Sequence, residues 1–213
     1  MTVRAVLFDL DGTLIDSHAL IVASFQHACR EVLGREITEQ EARVRWGEPL
    51  AIRFAALAPD DTGPLLRAYT AFYDEHEPRM ASVFPGVAAM LAGLAARGCV
   101  SAVVTSKRAR AASQAIQVLG LAPWIVTAVG AEDAPRPKPA PDRVRVALQR
   151  LDTAPAAAVM IGDAPLDIAA ARAAGVRSVA ALWGVQDRGA LLASRPDYAA
   201  PSPADVVDIV ASG

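Results

Sequence analysis

The chain has 213 residues, 53% of them hydrophobic and 21% charged, with a formal net charge of −2. That length holds one full core, or a core plus a small insert, and the composition excludes a disordered tail. The charge lacks the basic excess of a nucleic-acid binder, and no apolar run approaches the ~20 residues of a membrane span.

Thr2–Phe8 is short, apolar and β-branched, which predicts a buried strand. The chain enters that strand at once, so no signal peptide is expected. Leu20, Ile21, Phe25, Ala28, Val32 and Leu33 form a helical stripe over 18–34, with Gly34 as its C-cap. Thr38 followed by Glu41 spells a capping box that opens a second helix. Arg45-Trp-Gly-Glu-Pro49 breaks it, and further helices are expected from about 50 and over 62–77. From 83 the pattern changes. Pro85 and Gly86 open a helix to Arg97, and strands over 99–104, 124–129, 156–161 and 176–181 alternate with helices over 107–119, 141–151 and 165–174. A strand near 197–200 and a helix from 203 close the chain. Such alternation predicts right-handed βαβ units and a Rossmann-like parallel sheet covered on both faces, an α/β/α core. The helical block is then an insert, giving a discontinuous core of residues 1–15 and 84–213 and a helical cap of 16–83. Cys29 and Cys99 stand far apart in apolar settings, as free thiols of a reducing cytoplasm do.

Ligands of doubly wound sheets sit beyond the carboxyl ends of the strands, so the residues there carry the function. The first strand ends in Asp9-Leu-Asp11-Gly-Thr13, the second in Thr105-Ser106 and the fourth in Gly162-Asp163, with Asp167 four residues on. Arg136-Pro-Lys138-Pro-Ala-Pro-Asp142 precedes a helix. Side chains at i and i+2 share one side of a strand, so Asp9 and Asp11 can face one pocket. Clustered carboxylates are tolerated beside a cation, and Mg²⁺ takes oxygen ligands together with substrate phosphate. A carboxylate can attack phosphorus, and a second acid can protonate the leaving oxygen and then activate water. Thr105 and Ser106 suit a helix N-cap or phosphate binding, Lys138 can offset developing charge, and Gly12 allows a sharp turn. Lysine occurs only at 107 and 138, against nineteen arginines. Lys138 keeps a compact ammonium where arginine's planar fork is no substitute, and Lys107 directly follows Thr105-Ser106, at the pocket rim.

In this order, DLDGT at Asp9–Thr13, a strand ending at Thr105, KPxPD at Lys138–Asp142 and GDxxxD at Gly162–Asp167 resemble the four motifs of the haloacid dehalogenase superfamily. The likeness spans essentially the whole chain. The helical insert after the first motif and FPGV before the second are similar to the phosphoglycolate phosphatase and β-phosphoglucomutase branch. The resemblance implies Asp9 as nucleophile and Mg²⁺ ligand, and Asp11 as general acid/base with its backbone carbonyl on the metal. It implies Thr105, Ser106, Gly12 and Thr13 around the phosphate, Lys138 steadying nucleophile and phosphate, and Asp163 and Asp167 on the metal. Arg45 and Glu48, flanking a break between cap helices, are the candidates for substrate contact. Ala164-Pro165 inside the last motif departs from the family pattern, and proline there suits the first helical turn.

The expected activity is a Mg²⁺-dependent phosphatase for a small phosphorylated metabolite, acting as a monomer or homodimer, with no nucleic-acid or membrane partner. Phosphoglycolate is the leading substrate. Pyrophosphate is next, then a nucleotide or sugar phosphate. A sugar-phosphate mutase is disfavoured, because the cap position of its extra histidine is Ile21 here and His18 falls three residues short. A dehalogenase lacks the acid that Asp11 supplies. A catalytically silent binding domain would need a broken motif.

Overall fold

The computed structural model describes residues 2–212. In chain order its elements begin with β1 (Ala5–Phe8), β2 (Ile15–Asp16), α1 (His18–Leu33), α2 (Glu39–Ala42), α3 (Leu50–Leu57), α4 (Thr62–Met80) and β3 (Ser82–Val83). They continue with α5 (Val87–Ala96), β4 (Val100–Val104), α6 (Ala109–Val118), β5 (Ile125–Val129), α7 (Asp142–Arg150) and β6 (Ala158–Gly162). Last come α8 (Pro165–Ala174), β7 (Arg177–Ala181), α9 (Arg188–Ala193), β8 (Tyr198–Ala200) and α10 (Pro203–Ser212). The chain divides into two compact units, one running up to Asp16 and again from Val83, the other Ser17–Ser82.

Six strands of the first unit form one sheet in the order β5-β4-β1-β6-β7-β8, and every neighbouring pair is parallel. The fold is α/β. β1 reads Ala-Val-Leu-Phe and is buried throughout, as a central parallel strand must be. Its side chains alternate. Val6 and Phe8 join Val103, Ile161 and Val179 against Val87, Leu91, Leu94 and Ile116. Ala5 and Leu7 join Ala102, Val104 and Met160 against Val144, Leu148, Ala170 and Ala171. A period of two has therefore built two cores, one on each face. β4 and β6 flank β1, so the chain returns past its own first strand to build the other half of the sheet. Phe8 pairs with Val103 on one side and Ile161 on the other. That register brings the residues following three strands to one sheet end.

In the second unit, α1 and α4 pack along each other, and Leu20, Phe25, Phe54, Leu65 and Tyr69 form the core. The Phe25 and Phe54 rings stack at 4.4 Å. α1 ends at Gly34 in the left-handed region (φ 61°), with its N–H bonded back to the Arg30 carbonyl, as the glycine predicts. The Thr38–Glu41 capping box forms, but α2 lasts four residues. The stop comes from Arg45 at φ 58° and Gly47 at φ 85°.

One helix starts later than expected, and one further helix is present. The helix expected from Lys107 begins at Ala109, because the backbone before it is committed elsewhere. Lys107 N–H donates to the Thr105 hydroxyl (3.1 Å), and the Lys107 carbonyl accepts from Ala131 (2.9 Å). α9 was not anticipated. It is six residues long, too short for a periodic signal, although Asp187 caps it by accepting from Ala190 N–H.

Candidate active site

Asp9 directly follows β1, and its N–H extends the ladder to the Ile161 carbonyl at 2.9 Å. It keeps the parity of Ala5 and Leu7, so its side chain emerges on the sheet face that α7 and α8 cover. Lys138, from the loop before α7, is buried there and donates to Asp9 Oδ1 (3.0 Å) and Asp167 Oδ1 (2.6 Å). Asp167 lies in the first turn of α8, where its other oxygen accepts the Ala164 N–H (3.1 Å), so the carboxylate also closes the helix start. Ala164-Pro165 does not disturb this, because proline fits the first helical position.

Asp163 follows β6. Thr13 donates its hydroxyl to Asp163 Oδ1 (2.8 Å), and Trp183 donates its indole N–H to the Thr13 carbonyl (2.9 Å). The turn between Asp9 and Thr13 runs through Gly12 at φ 86°, and a Cβ there would overlap the Asp163 carboxylate. Gly12 therefore sets how closely the first motif approaches the last. Trp183 and Gly184 belong to this support, with the backbone of Gly184 lying against the Gly12 carbonyl. The sign of this role in the sequence is the indole N–H of Trp183, which seeks a partner when partly buried.

Asp9, Asp163 and Asp167 each offer one oxygen, and the three lie within 4.8 Å of one another. Burial pushes the Asp9 carboxyl up to about 7 against the pull of Lys138, with Asp167 and Asp11 adding to the rise. Burial also drives Asp163 well above the ordinary carboxylate range, Asp9 and Asp167 adding to it and the Thr13 hydroxyl opposing. Burial works against the charge of Lys138, yet Asp167 and Asp9 together hold its ammonium above the usual lysine value. One ammonium against three carboxylates leaves two negative charges uncompensated when all are ionised. The donor set is all hard oxygen, so it fits a divalent cation such as Mg²⁺.

Asp11 stands apart, since its carboxylate is not among the three clustered ones. Lys107 Nζ lies 3.9 Å from Asp11 Oδ1 instead. Thr105 directly follows β4, the neighbour of β1, and is buried. It does not cap α6, whose N-cap position is Arg108. With Ser106 it forms the turn that leads to Lys107. The structure thus brings Asp9, Gly12, Thr13, Lys138, Asp163 and Asp167 together, with Asp11 and Lys107 paired. Arg45 and Glu48 belong to the other unit, where they pair with each other at 2.8 Å.

The model of the haloacid dehalogenase-like hydrolases matches residues 6–181. A protein of Caldanaerobacter subterraneus subsp. tengcongensis, provisionally named pyrophosphatase PpaX, is 38% identical over 93% of this chain and 90% of its own. The pyrophosphatase PpaX of Bacillus pumilus is 33% identical over 98% of this chain and 97% of its own. A haloacid dehalogenase-like hydrolase of Streptococcus pneumoniae superposes with a TM-score of 0.86 at 29% identity, over 97% of this chain and 98% of that one. With its motifs at adjoining strand ends and relatives matched end to end, the chain belongs to the haloacid dehalogenase-like hydrolase family and is an enzyme.

Proposed function

We propose that this phosphoric ester hydrolase is a Mg²⁺-dependent phosphatase of small phosphorylated metabolites, working through a phosphoryl group carried on Asp9. The observation that carries it is the convergence of Asp9, Asp163 and Asp167 within 4.8 Å, with Lys138 bonded to two of them. In this reading Asp9, Asp163 and Asp167 hold the cation. The bound ion would supply charge neutralisation for the carboxylates and the incoming phosphoryl oxygens. Lys138 fixes Asp9 Oδ1 and leaves its second oxygen for attack on phosphorus. Asp11, outside the charge cluster, delivers a proton to the leaving oxygen and later withdraws one from the attacking water. Thr105 and the backbone after it line the phosphoryl oxygens. Division of one displacement into two suits a reaction whose uncatalysed rate is among the slowest known.

Between the two leading substrates, pyrophosphate has the stronger support. The two relatives described above, at 38% and 33% identity, carry the pyrophosphatase name and match over nearly their whole length. The likenesses named for phosphoglycolate lie below 25% identity and speak to fold alone. The two buried free cysteines, Cys29 and Cys99, support a reducing, cytoplasmic setting.

The test is phosphate release from p-nitrophenyl phosphate, then from a panel including pyrophosphate, phosphoglycolate and sugar phosphates. Activity is expected to require Mg²⁺ and to vanish with EDTA. Asp9→Asn should lower turnover by at least about 10³-fold, the scale of losing a nucleophile. An Asp9→Asn protein with undiminished turnover would sink the proposal.

A further inference from the structure

Lysine is nearly absent from this chain, and both lysines are at the site. Lys138 serves the carboxylate cluster. Lys107 has a different address, on the Asp11 side. We infer that Lys107 is a specificity-determining residue, whose ammonium selects substrates with a leaving group that carries its own negative charge, a second phosphate or a carboxylate. The inference rests on the phosphatase reading, in which Asp11 protonates the leaving oxygen.

The geometry separates two charge environments. Asp9, Asp163, Asp167 and Lys138 form one, around the phosphoryl group to be transferred. Asp11 and Lys107 form the other, 3.9 Å apart, an ion pair longer than a direct hydrogen bond. An acid that meets the leaving oxygen stands beside the leaving group, and so does its neighbour. The Lys107 side chain is only 12% exposed, so its charge acts in a poorly screened setting. Its backbone is held on both sides by the Thr105 hydroxyl and the Ala131 N–H. Ala109 N–H donates to Glu132 (3.0 Å), and Gly130 packs so closely on Arg108 and Ala109 that a Cβ would overlap their backbone. The loop is thus clamped against the residues after β5, and the ammonium is presented from a fixed base. A compact ammonium can meet either a phosphate or a carboxylate as a point charge.

The experiment compares wild type, Lys107→Met and Lys107→Arg on three substrates with Mg²⁺: pyrophosphate, phosphoglycolate and phenyl phosphate, whose leaving group is neutral once protonated. The kcat/KM ratio of each anionic-leaving substrate to phenyl phosphate should fall about tenfold or more in Lys107→Met, with part of it regained in Lys107→Arg. The substrate whose ratio falls further identifies which anion the site prefers. Equal losses on all three, or no loss, would overturn the inference while leaving the phosphatase reading standing. Calorimetric binding of methylenediphosphonate gives a second readout, independent of turnover. Lys107→Met should bind it about tenfold more weakly. If wild type turns over none of the three, the phosphatase reading fails, and equal methylenediphosphonate affinity in both proteins would overturn the role of Lys107 as well. Thermal melts of each variant check that it is folded.

Discussion

Asp9 is held in a site that resists its charge, and that has a consequence for stability. Its carboxyl titrates near 7 in the folded protein against an ordinary 3.8, because burial outweighs the attraction of Lys138. Between those values the unfolded chain binds fewer protons than the folded one, so stability falls as pH rises. The contribution is fully present below about 3.8 and lost by about 7. For the metal-free protein, the melting temperature of Asp9→Asn minus that of wild type should therefore grow from pH 4 to pH 7 and level off above. Added Mg²⁺ should raise the wild-type melting temperature more than that of the variant at pH 7.5. A difference that stays flat across this range would refute the assignment of Asp9 as a buried, charge-strained carboxylate. Much of this site was legible in the sequence, because acids, threonine and lysine stand directly after apolar strand-like runs. The contact of Lys138 with Asp167 was not legible. It depends on β6 lying beside β1, and chain order alone does not determine strand order.

At the scale of elements, the loop between α2 and α3 depends on one buried cation. Arg53, in α3, donates to the Ala42 and Val44 carbonyls, and its guanidinium lies 4.6 Å from the Phe25 ring centre and 5.6 Å from that of Trp46. It fastens a segment in which Arg45 takes a left-handed conformation that residues with side chains seldom adopt. Arg53→Met leaves two carbonyls without this donor and should cost about 1–3 kcal/mol. Amide exchange over 43–49 should accelerate, while that of the sheet stays unchanged. Protection of 43–49 equal to wild type would show that the strained turn holds itself. The capping box before this loop was readable from Thr38 and Glu41, since both bonds are local. The late start of α6 was not readable, because one of the two bonds that delay it comes from Ala131, more than twenty residues away.

The whole molecule is two units with separate cores, one contributed by a single continuous segment. In the sheet unit, the segments on either side of the insert stay close, with Phe84 N–H donating to the Leu14 carbonyl at 3.2 Å. Replacing 17–82 with a short Gly/Ser linker should therefore leave a cooperatively melting α/β protein with near-native strand content by circular dichroism. Its melting temperature should still rise with Mg²⁺, since Asp9, Asp163 and Asp167 all lie outside the excised segment. A non-cooperative melt would show that the sheet unit cannot fold without the helical one. The placement of β1 bears on biosynthesis too. Its two partners end at Val104 and Gly162, and the second lies about 150 residues downstream. At ~5–20 residues per second a ribosome needs roughly 8–30 s to deliver it, during which the greasy Ala-Val-Leu-Phe tetrapeptide emerges with one flank or both unmated. The newborn chain must be shielded in that interval, so its yield should depend on holdase chaperones more steeply than the stability of the finished enzyme would suggest.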